Sequence, residues 1–166
     1  IPVLARVNGS AYGGGVGLLA CCDIAIGVDT AKFTLSEVKL GLVPAVISPY
    51  VIAAIGTRHA RRYFLSAEIF DATQALHIGL LHEAVPADQL DASIDRIVHW
   101  IGKAGPKAVA VAKQLIRDFS PAGTVLHMEN QDKANAELIA RLRVSTEGQE
   151  GLSAFLEKRP SGWIEQ

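Results

Sequence analysis

Apolar positions along the chain follow two regimes. Up to about residue 40 they form short dense runs, and beyond residue 56 they recur every three or four positions. The segment Val3 to Val7 is apolar except at Arg6 and predicts a strand closed by Asn8-Gly9-Ser10. Ala11-Tyr12-Gly13-Gly14-Gly15-Val16-Gly17 follows as a glycine-rich turn, Leu18 to Cys22 as a short apolar helix and Asp23 to Val28 as a buried strand. Lys32 to Leu35 reads as a shorter extended piece. Strand, turn, helix, strand is the order of an α/β fold.

The stretch from Leu40 to Thr57 carries no charge and is long enough to raise a membrane span. Pro44 and Pro49 would break such a helix twice, so the stretch is read as a buried loop leading into a helix start. Thr57 is the expected cap of a helix to about Ser66. Asp71-Ala72-Thr73-Gln74 is a capping box for a helix that stops at Gly79, and Leu80 to Val85 is extended. Asp88 caps a helix carrying Leu90, Ile94, Ile97, Val98 and Ile101 at helical spacing. Gly105-Pro106 opens another, with Val109, Ala112, Leu115 and Ile116 on one face. Ser120-Pro121 opens a long helix to about Arg143, and a second capping box at Thr146 to Gln149 starts a helix through Leu156. The expected division is an α/β part over residues 1–104 and a helical part over 105–166. Amphipathic last helices beside so short a sheet suggest packing on another subunit.

Composition sharpens this. The chain has 166 residues, the size of about one domain. Its apolar share is 49%, or about 56% once tyrosine is left out and glycine counted, against about 45–50% in ordinary soluble domains. We therefore expect it to bury apolar surface against something else. The start at Ile1-Pro2-Val3-Leu4, within a strand, suggests a piece of a longer protein. A net charge of −1 gives no general attraction for nucleic acid or anionic membranes. The adjacent Cys21 and Cys22 cannot easily bridge each other. They are read as buried, reduced thiols in an intracellular, cytoplasmic setting.

Three consecutive glycines between a strand and a helix let the backbone approach a ligand and offer free N–H groups at a helix N-terminus. Such a place suits an anion or a developing oxyanion, or is merely a tight turn. A rival pattern overlaps it: Gly15-Val16-Gly17-Leu18-Leu19-Ala20 matches a dinucleotide fingerprint, with Asp29 where a ribose-binding acid would stand. Several residues separate that first glycine from the strand end at Val7, which weakens the match. The five histidines, His59, His77, His82, His99 and His127, show no metal-ligand spacing and are read as structural or surface groups, so no metal is expected. Ser10, Ser36 and Ser48 lack a nucleophile elbow. Arg58, Arg61 and Arg62 read as a solvated face, and Trp100 and Met128 as packing residues.

The run Pro2-Val3-x-Ala5-x-Val7-Asn8-Gly9-x-Ala11-x-Gly13-Gly14-Gly15 resembles the crotonase superfamily of enoyl-CoA hydratases and isomerases. The similarity continues through Cys22-Asp23-Ile24, Ala31-Lys32-Phe33 and Ser36-Glu37-Val38-Lys39-Leu40-Gly41-Leu42-Val43-Pro44. It extends to Ala75-x-x-x-Gly79-Leu80, Val85-Pro86 and Glu150-Gly151-Leu152-x-Ala154-Phe155-Leu156-Glu157-Lys158-Arg159. The resemblance implies a ββα spiral core lacking its N-terminal strands, followed by a helical region that builds homotrimers or dimers of trimers. It implies an acyl-CoA substrate, with coenzyme A arriving as part of that substrate rather than as a cofactor. Gly14 then matches the backbone donor to the thioester oxygen, flanked by Gly13, Gly15 and Gly17 along the acyl site. Glu37 matches the catalytic acid/base. Phe155 and Lys158 match a stretch that in some members reaches the coenzyme A of a neighbouring subunit.

Two departures stand out. Two-glutamate hydratases carry their first glutamate two residues after the triple glycine, where this chain has Gly17. The family's Pro-Gly-x-Gly-Gly run reads Pro44-Ala45-Val46-Ile47-Ser48-Pro49 here, so the acyl pocket should be reshaped. These features look most like methylglutaconyl-CoA hydratase-like proteins, and Gly17 is expected to leave room for a branched or carboxylated chain. The expected activity is hydration of an enoyl-CoA. Double-bond isomerisation, a dinucleotide-binding module and an inactive oligomerisation piece stand as alternatives.

Overall fold

The computed structural model describes residues 1–118 and 128–164, and no side chain of 128–135. The chain divides into two compact units, Pro2–Arg96 and Ile97–Gln166 with Ile1. The first holds two three-stranded sheets. One has the order β1-β3-β6, with β1 at Leu4–Val7, β3 at Ile24–Val28 and β6 at Glu83–Val85, all parallel. Leu4 faces Ile24 and Ile26 faces Glu83 in its register. The other has the order β2-β4-β5: β2 (Ala11–Tyr12) runs parallel to β4 (Lys32–Thr34), and β5 (Phe70–Asp71) antiparallel to it.

The chain alternates between these sheets. It runs β1, β2, then helix α1 (Gly14–Cys21), and again β3, β4, then helix α2 (Ser48–Ser66). Strand-strand-helix thus occurs twice, which is the α/β spiral expected above. The central strand β3 is buried from Ala25 to Val28, as its unbroken apolar run requires. His82 closes one end of this sheet. Its backbone N–H donates to Ala25 O at 2.7 Å, and its Nδ1 accepts from Ala25 N–H at 3.1 Å. Its role is structural, as read from the sequence.

Phe33 on β4, Phe70 on β5 and Tyr63 on α2 form the aromatic core under the second sheet. Phe33 and Phe70 stack at 5.7 Å between centroids, and Tyr63 meets Phe70 at 4.2 Å. Thr34 Oγ1 donates to Ala67 O at 3.1 Å inside this core. These contacts fix β4 against the end of α2 and so set where the chain emerges after Thr34.

Several local expectations shift. Helix α1 begins at Gly14 rather than Leu18. Helix α2 begins at Ser48, with Pro49 in its first turn, where a proline costs nothing. It kinks at Gly56 (φ 72°, ψ 158°), so Thr57 starts its second segment. The loop before it is exposed, not buried: Leu40, Val43 and Val46 lie open to solvent. Cys21 is exposed as well. Helix α3 (Ala72–His77) is capped as read, Asp71 Oδ1 accepting from Gln74 N–H at 2.8 Å. Asp88 sits within a short 3-10 turn ahead of α4 (Leu90–Gly102) rather than capping it. No helix among the described residues is long and apolar enough to cross a membrane.

The second unit carries α5 (Pro106–Asp118), α6 (Met128–Arg143) and α7 (Thr146–Glu157). The predicted helix start at Ser120-Pro121, His127 and the side chain of Met128 lie outside the described residues. Ser145, not Thr146, caps α7: its Oγ accepts from Gly148 N–H at 3.0 Å. Glu147 instead turns to α5, whose free Lys107 and Ala108 N–H groups donate to it at 2.9 and 2.7 Å. Trp100 is 61% exposed, with the Lys103 ammonium 4.8 Å over its ring, so it is not a core packing residue.

The Glu150 to Arg159 motif closes the end of α7. Arg159 grips Glu150 through two parallel bonds at 2.7 and 2.9 Å, and Gly162 N–H donates to the same carboxylate at 2.7 Å. The Arg159 guanidinium, then the Gly162 N–H, hold the Glu150 carboxyl down at about 2. Since its folded pKa lies below the ordinary value, this contribution is whole above about pH 4.5 and is lost as pH falls through 2. In acid titration followed by circular dichroism, Glu150→Gln is expected to flatten the stability loss between pH 4.5 and 2. An unchanged slope contradicts the clamp.

Candidate active site

The glycine turn and the segment after β4 build one site within the first unit. Gly13 N–H donates to Thr34 O at 2.9 Å, which binds the turn to the last residue of β4. The chain then passes Leu35 and Ser36 into a 3-10 turn, Glu37–Leu40. That turn is held by Lys39 N–H to Ser36 O (3.0 Å), by Leu42 N–H to Glu37 O (3.0 Å) and by left-handed Gly41. Three residues beyond the Gly13 anchor, Glu37 is therefore fixed at its backbone.

Its side chain returns to the turn. Gly13 has φ 49° and ψ −117°, a conformation open only to glycine, and a Cβ there would stand 3.1 Å from Glu37 Oε1. The carboxylate lies over the bare face of Gly13. Glu37 Oε2 is shielded from solvent and has no hydrogen-bond partner among the described residues. Buried polar atoms are nearly always paired, and this unpartnered carboxylate oxygen makes Glu37 a candidate functional group.

Beside it, Gly14 opens α1. Gly14 is exposed and its N–H makes no hydrogen bond among the described residues. It is one of the free donors of a helix first turn, where the helix dipole also favours negative charge. The predicted donor and the predicted acid/base thus meet at one turn. Gly15, the next residue, packs against the Ala11 side chain, a Cβ there falling 3.4 Å from Ala11 Cβ.

Gly17 overturns an expectation. It is buried, and the space beside it is filled: a Cβ built there would fall 2.6 Å from Ile47 Cβ and closer still to Cγ2. No room is left for a branched chain at Gly17, and none for a second carboxylate. Ile47 escaped the sequence reading because the contact is thirty residues apart along the chain. Its one signal is that it stands at a glycine position of the family's Pro-Gly-x-Gly-Gly run. Gly17→Ala is expected to destabilise the protein by about 1–3 kcal/mol through overpacking. Ile47→Ala in the same chain should recover most of that loss. Urea unfolding of the four proteins in the cycle measures it, and strict additivity contradicts the contact.

Phe155 and Lys158 belong to the second unit. Both are exposed at the end of α7, Lys158 as its left-handed cap (φ 55°). The dinucleotide alternative loses its geometry. Strand β2 of the other sheet intervenes between β1 and the glycines, and the bare face of Gly17 is covered by Ile47. Arg58, Arg61 and Arg62 are exposed as read, Arg62 pairing with Glu68.

Comparison with known proteins follows the same lines. The enoyl-CoA hydratase/isomerase family model matches residues 1–166. A crotonyl-CoA hydratase of Syntrophomonas wolfei is 30% identical over 98% of this chain and 62% of its own length. A 2,3-dehydroadipyl-CoA hydratase of Escherichia coli is 30% identical over 95% of this chain and 61% of its own. The crystal structure of an enoyl-CoA hydratase from Shewanella pealeana superposes with a TM-score of 0.91 at 46% identity, covering 98% of this chain and 59% of that one. The chain thus spans less than two thirds of the length of the proteins it matches.

Proposed function

The chain belongs to the enoyl-CoA hydratase/isomerase family, and from that premise we propose that the full-length protein adds water across the α,β double bond of an acyl-CoA thioester. The observation that carries the reading is the Glu37 carboxylate, its Oε1 against the bare face of Gly13 and its enclosed Oε2 without a partner among the described residues, beside the free Gly14 N–H. Gly14 N–H holds the thioester oxygen. Glu37 takes a proton from water as the oxygen of that water bonds to the β-carbon. The electron pair of the double bond moves to the thioester oxygen as an enolate, which the Gly14 donor stabilises. Glu37 then returns its proton to the α-carbon. One carboxylate suffices, acting first as base and then as acid. The reading needs no cofactor, since coenzyme A comes with the substrate.

A second reading has an observation of its own. With Gly17 and Ile47 where a second carboxylate would stand, Glu37 is the one proton carrier at this turn among the described residues. Double-bond isomerisation asks for no more: Glu37 removes a proton from the α-carbon of a 3-enoyl thioester and returns it to the γ-carbon. Incubation with 2-enoyl- and 3-enoyl-CoA, products resolved by chromatographic retention and by mass, separates the two. A gain of 18 Da from the 2-enoyl substrate supports hydration; a shift of the 3-enoyl substrate without mass change, and no hydration, replaces it with isomerisation.

The finer substrate is 3-methylglutaconyl-CoA, on the resemblance alone, because the room expected at Gly17 is taken. Preference for crotonyl-CoA over 3-methylglutaconyl-CoA counts against it. The proposal extends to a homotrimer or dimer of trimers. The exposed Leu18 on α1, a helix apolar on all sides, supports such a cover. In it, Phe155 and Lys158 reach the coenzyme A of a neighbouring subunit.

A further inference from the structure

Asn8, Gly9 and Ser10 carry the chain from the first sheet to the second. β1 ends at Val7, in register with Gly27, and β2 begins at Ala11, in register with Phe33. The three residues between are exposed and belong to no helix or strand. Ser10 is held, its Oγ accepting from Lys32 N–H at 3.0 Å. Neither the Asn8 side chain nor the Gly9 N–H makes a hydrogen bond among the described residues. A Cβ built at Gly9 meets nothing within 4 Å, so the Asn8-Gly9 peptide has open space beside it. Asparagine is a thermally labile residue, and this one precedes the residue least able to shield its own backbone nitrogen. Asn8 Cγ, Cβ, Cα and C together with the Gly9 nitrogen make a five-membered ring once Cγ and that nitrogen are joined.

We propose that Asn8-Gly9 is a site of spontaneous modification, at which the exposed and unbonded Gly9 nitrogen attacks the Asn8 side chain and the link into β2 is lengthened. The Gly9 nitrogen gives up its proton and bonds to Asn8 Cγ. The bond from Cγ to the amide nitrogen breaks, and that nitrogen takes up a proton and leaves as ammonia. Water then opens the resulting succinimide. Addition at Cγ restores the main chain and leaves aspartate. Addition at the Asn8 main-chain carbonyl leaves isoaspartate, whose main chain runs through Cβ. One water is consumed and one ammonia released, and nothing is oxidised or reduced. Isoaspartate adds one main-chain bond of about 1.5 Å to a link pinned at Val7 and at Ser10. It also sets a carboxylate where a neutral amide stood. Strand β2 runs straight into Gly13, so the strain falls on the strand that delivers the glycine turn. The chemistry does not depend on the reading of Gly14 and Glu37 given above.

The test ages the full-length protein in mildly alkaline buffer at body temperature and follows it by peptide mass mapping. Isoaspartate is counted by enzymatic methylation of its free carboxylate. Modification is expected at Asn8 well ahead of Asn130 and Asn135, the other asparagines of the chain, which precede Gln131 and Ala136 within α6. Gly9→Ala fits the folded chain, yet should slow the reaction by about 10-fold or more, because the added methyl crowds the attacking nitrogen. The Tm of the wild-type protein should fall as isoaspartate accumulates. Asn8→Asp, with the same charge on an ordinary main chain, should keep its Tm. Modification at Asn8 no faster than at Asn130 and Asn135, or equal rates in wild type and Gly9→Ala, overturns the site. A Tm that holds while isoaspartate accumulates, or that Asn8→Asp lowers equally, overturns the lengthened link. Protein that ages at Asn8 as expected but turns over no enoyl-CoA sinks the reading of Gly14 and Glu37 and leaves the modification standing.

Discussion

Replacing Glu37 by Gln is expected to lower turnover of the preferred enoyl-CoA by about 10²-fold or more, while the affinity for a saturated thioester changes little. Glutamine keeps the shape of the side chain and its place over Gly13, but it can neither take a proton from water nor return one to carbon. The structure makes this substitution clean. Oε2 has no hydrogen-bond partner among the described residues whose loss would disturb the fold. Steady-state rates of the two proteins, with melting temperatures alongside, decide it. A variant of near-normal rate contradicts the role given to Glu37.

Gly13→Ala should be nearly as severe for a different reason. Its φ of 49° with ψ of −117° strains any side chain, at a cost of about 1–3 kcal/mol. The new Cβ would also press on Glu37 Oε1 from 3.1 Å. Displacing an acid/base group by a fraction of an ångström to 1 Å costs up to about 10²-fold in rate. We expect a loss of 10- to 10²-fold in kcat together with a lower Tm. Gly9→Ala is the control, since a Cβ at Gly9 meets nothing within 4 Å and should leave both unchanged. Equal behaviour of the two variants contradicts the packing of Glu37 on Gly13.

Much of this site is legible along the chain because it is local. The three glycines announce a strand-to-helix turn, though α1 begins within them at Gly14 rather than at Leu18, and the apolar run at Ile24–Val28 announces the buried strand. Asp71 and Gln74 announce their helix by a capping pair one turn apart. What escapes is decided across the fold. The two-residue strands β2 and β5 exist only through their pairing with β4, which no periodicity of period two can register over so short a span. Ser145 rather than Thr146 caps α7, and Glu147 turns to the first turn of α5, a partner forty residues away. Gly17 reads as open space until Ile47 is seen to fill it. The family resemblance names Glu37 and Gly14, but only the fold brings the carboxylate against the bare face of the turn.

The central claim is geometric, and a crystal structure of the full-length protein with a saturated acyl-CoA bound measures it directly. The account predicts the thioester oxygen about 2.7–3.1 Å from Gly14 N and the α- and β-carbons within about 3–3.5 Å of a Glu37 carboxylate oxygen. A thioester bound with its carbonyl away from Gly14, or with Glu37 turned from the acyl chain, contradicts it.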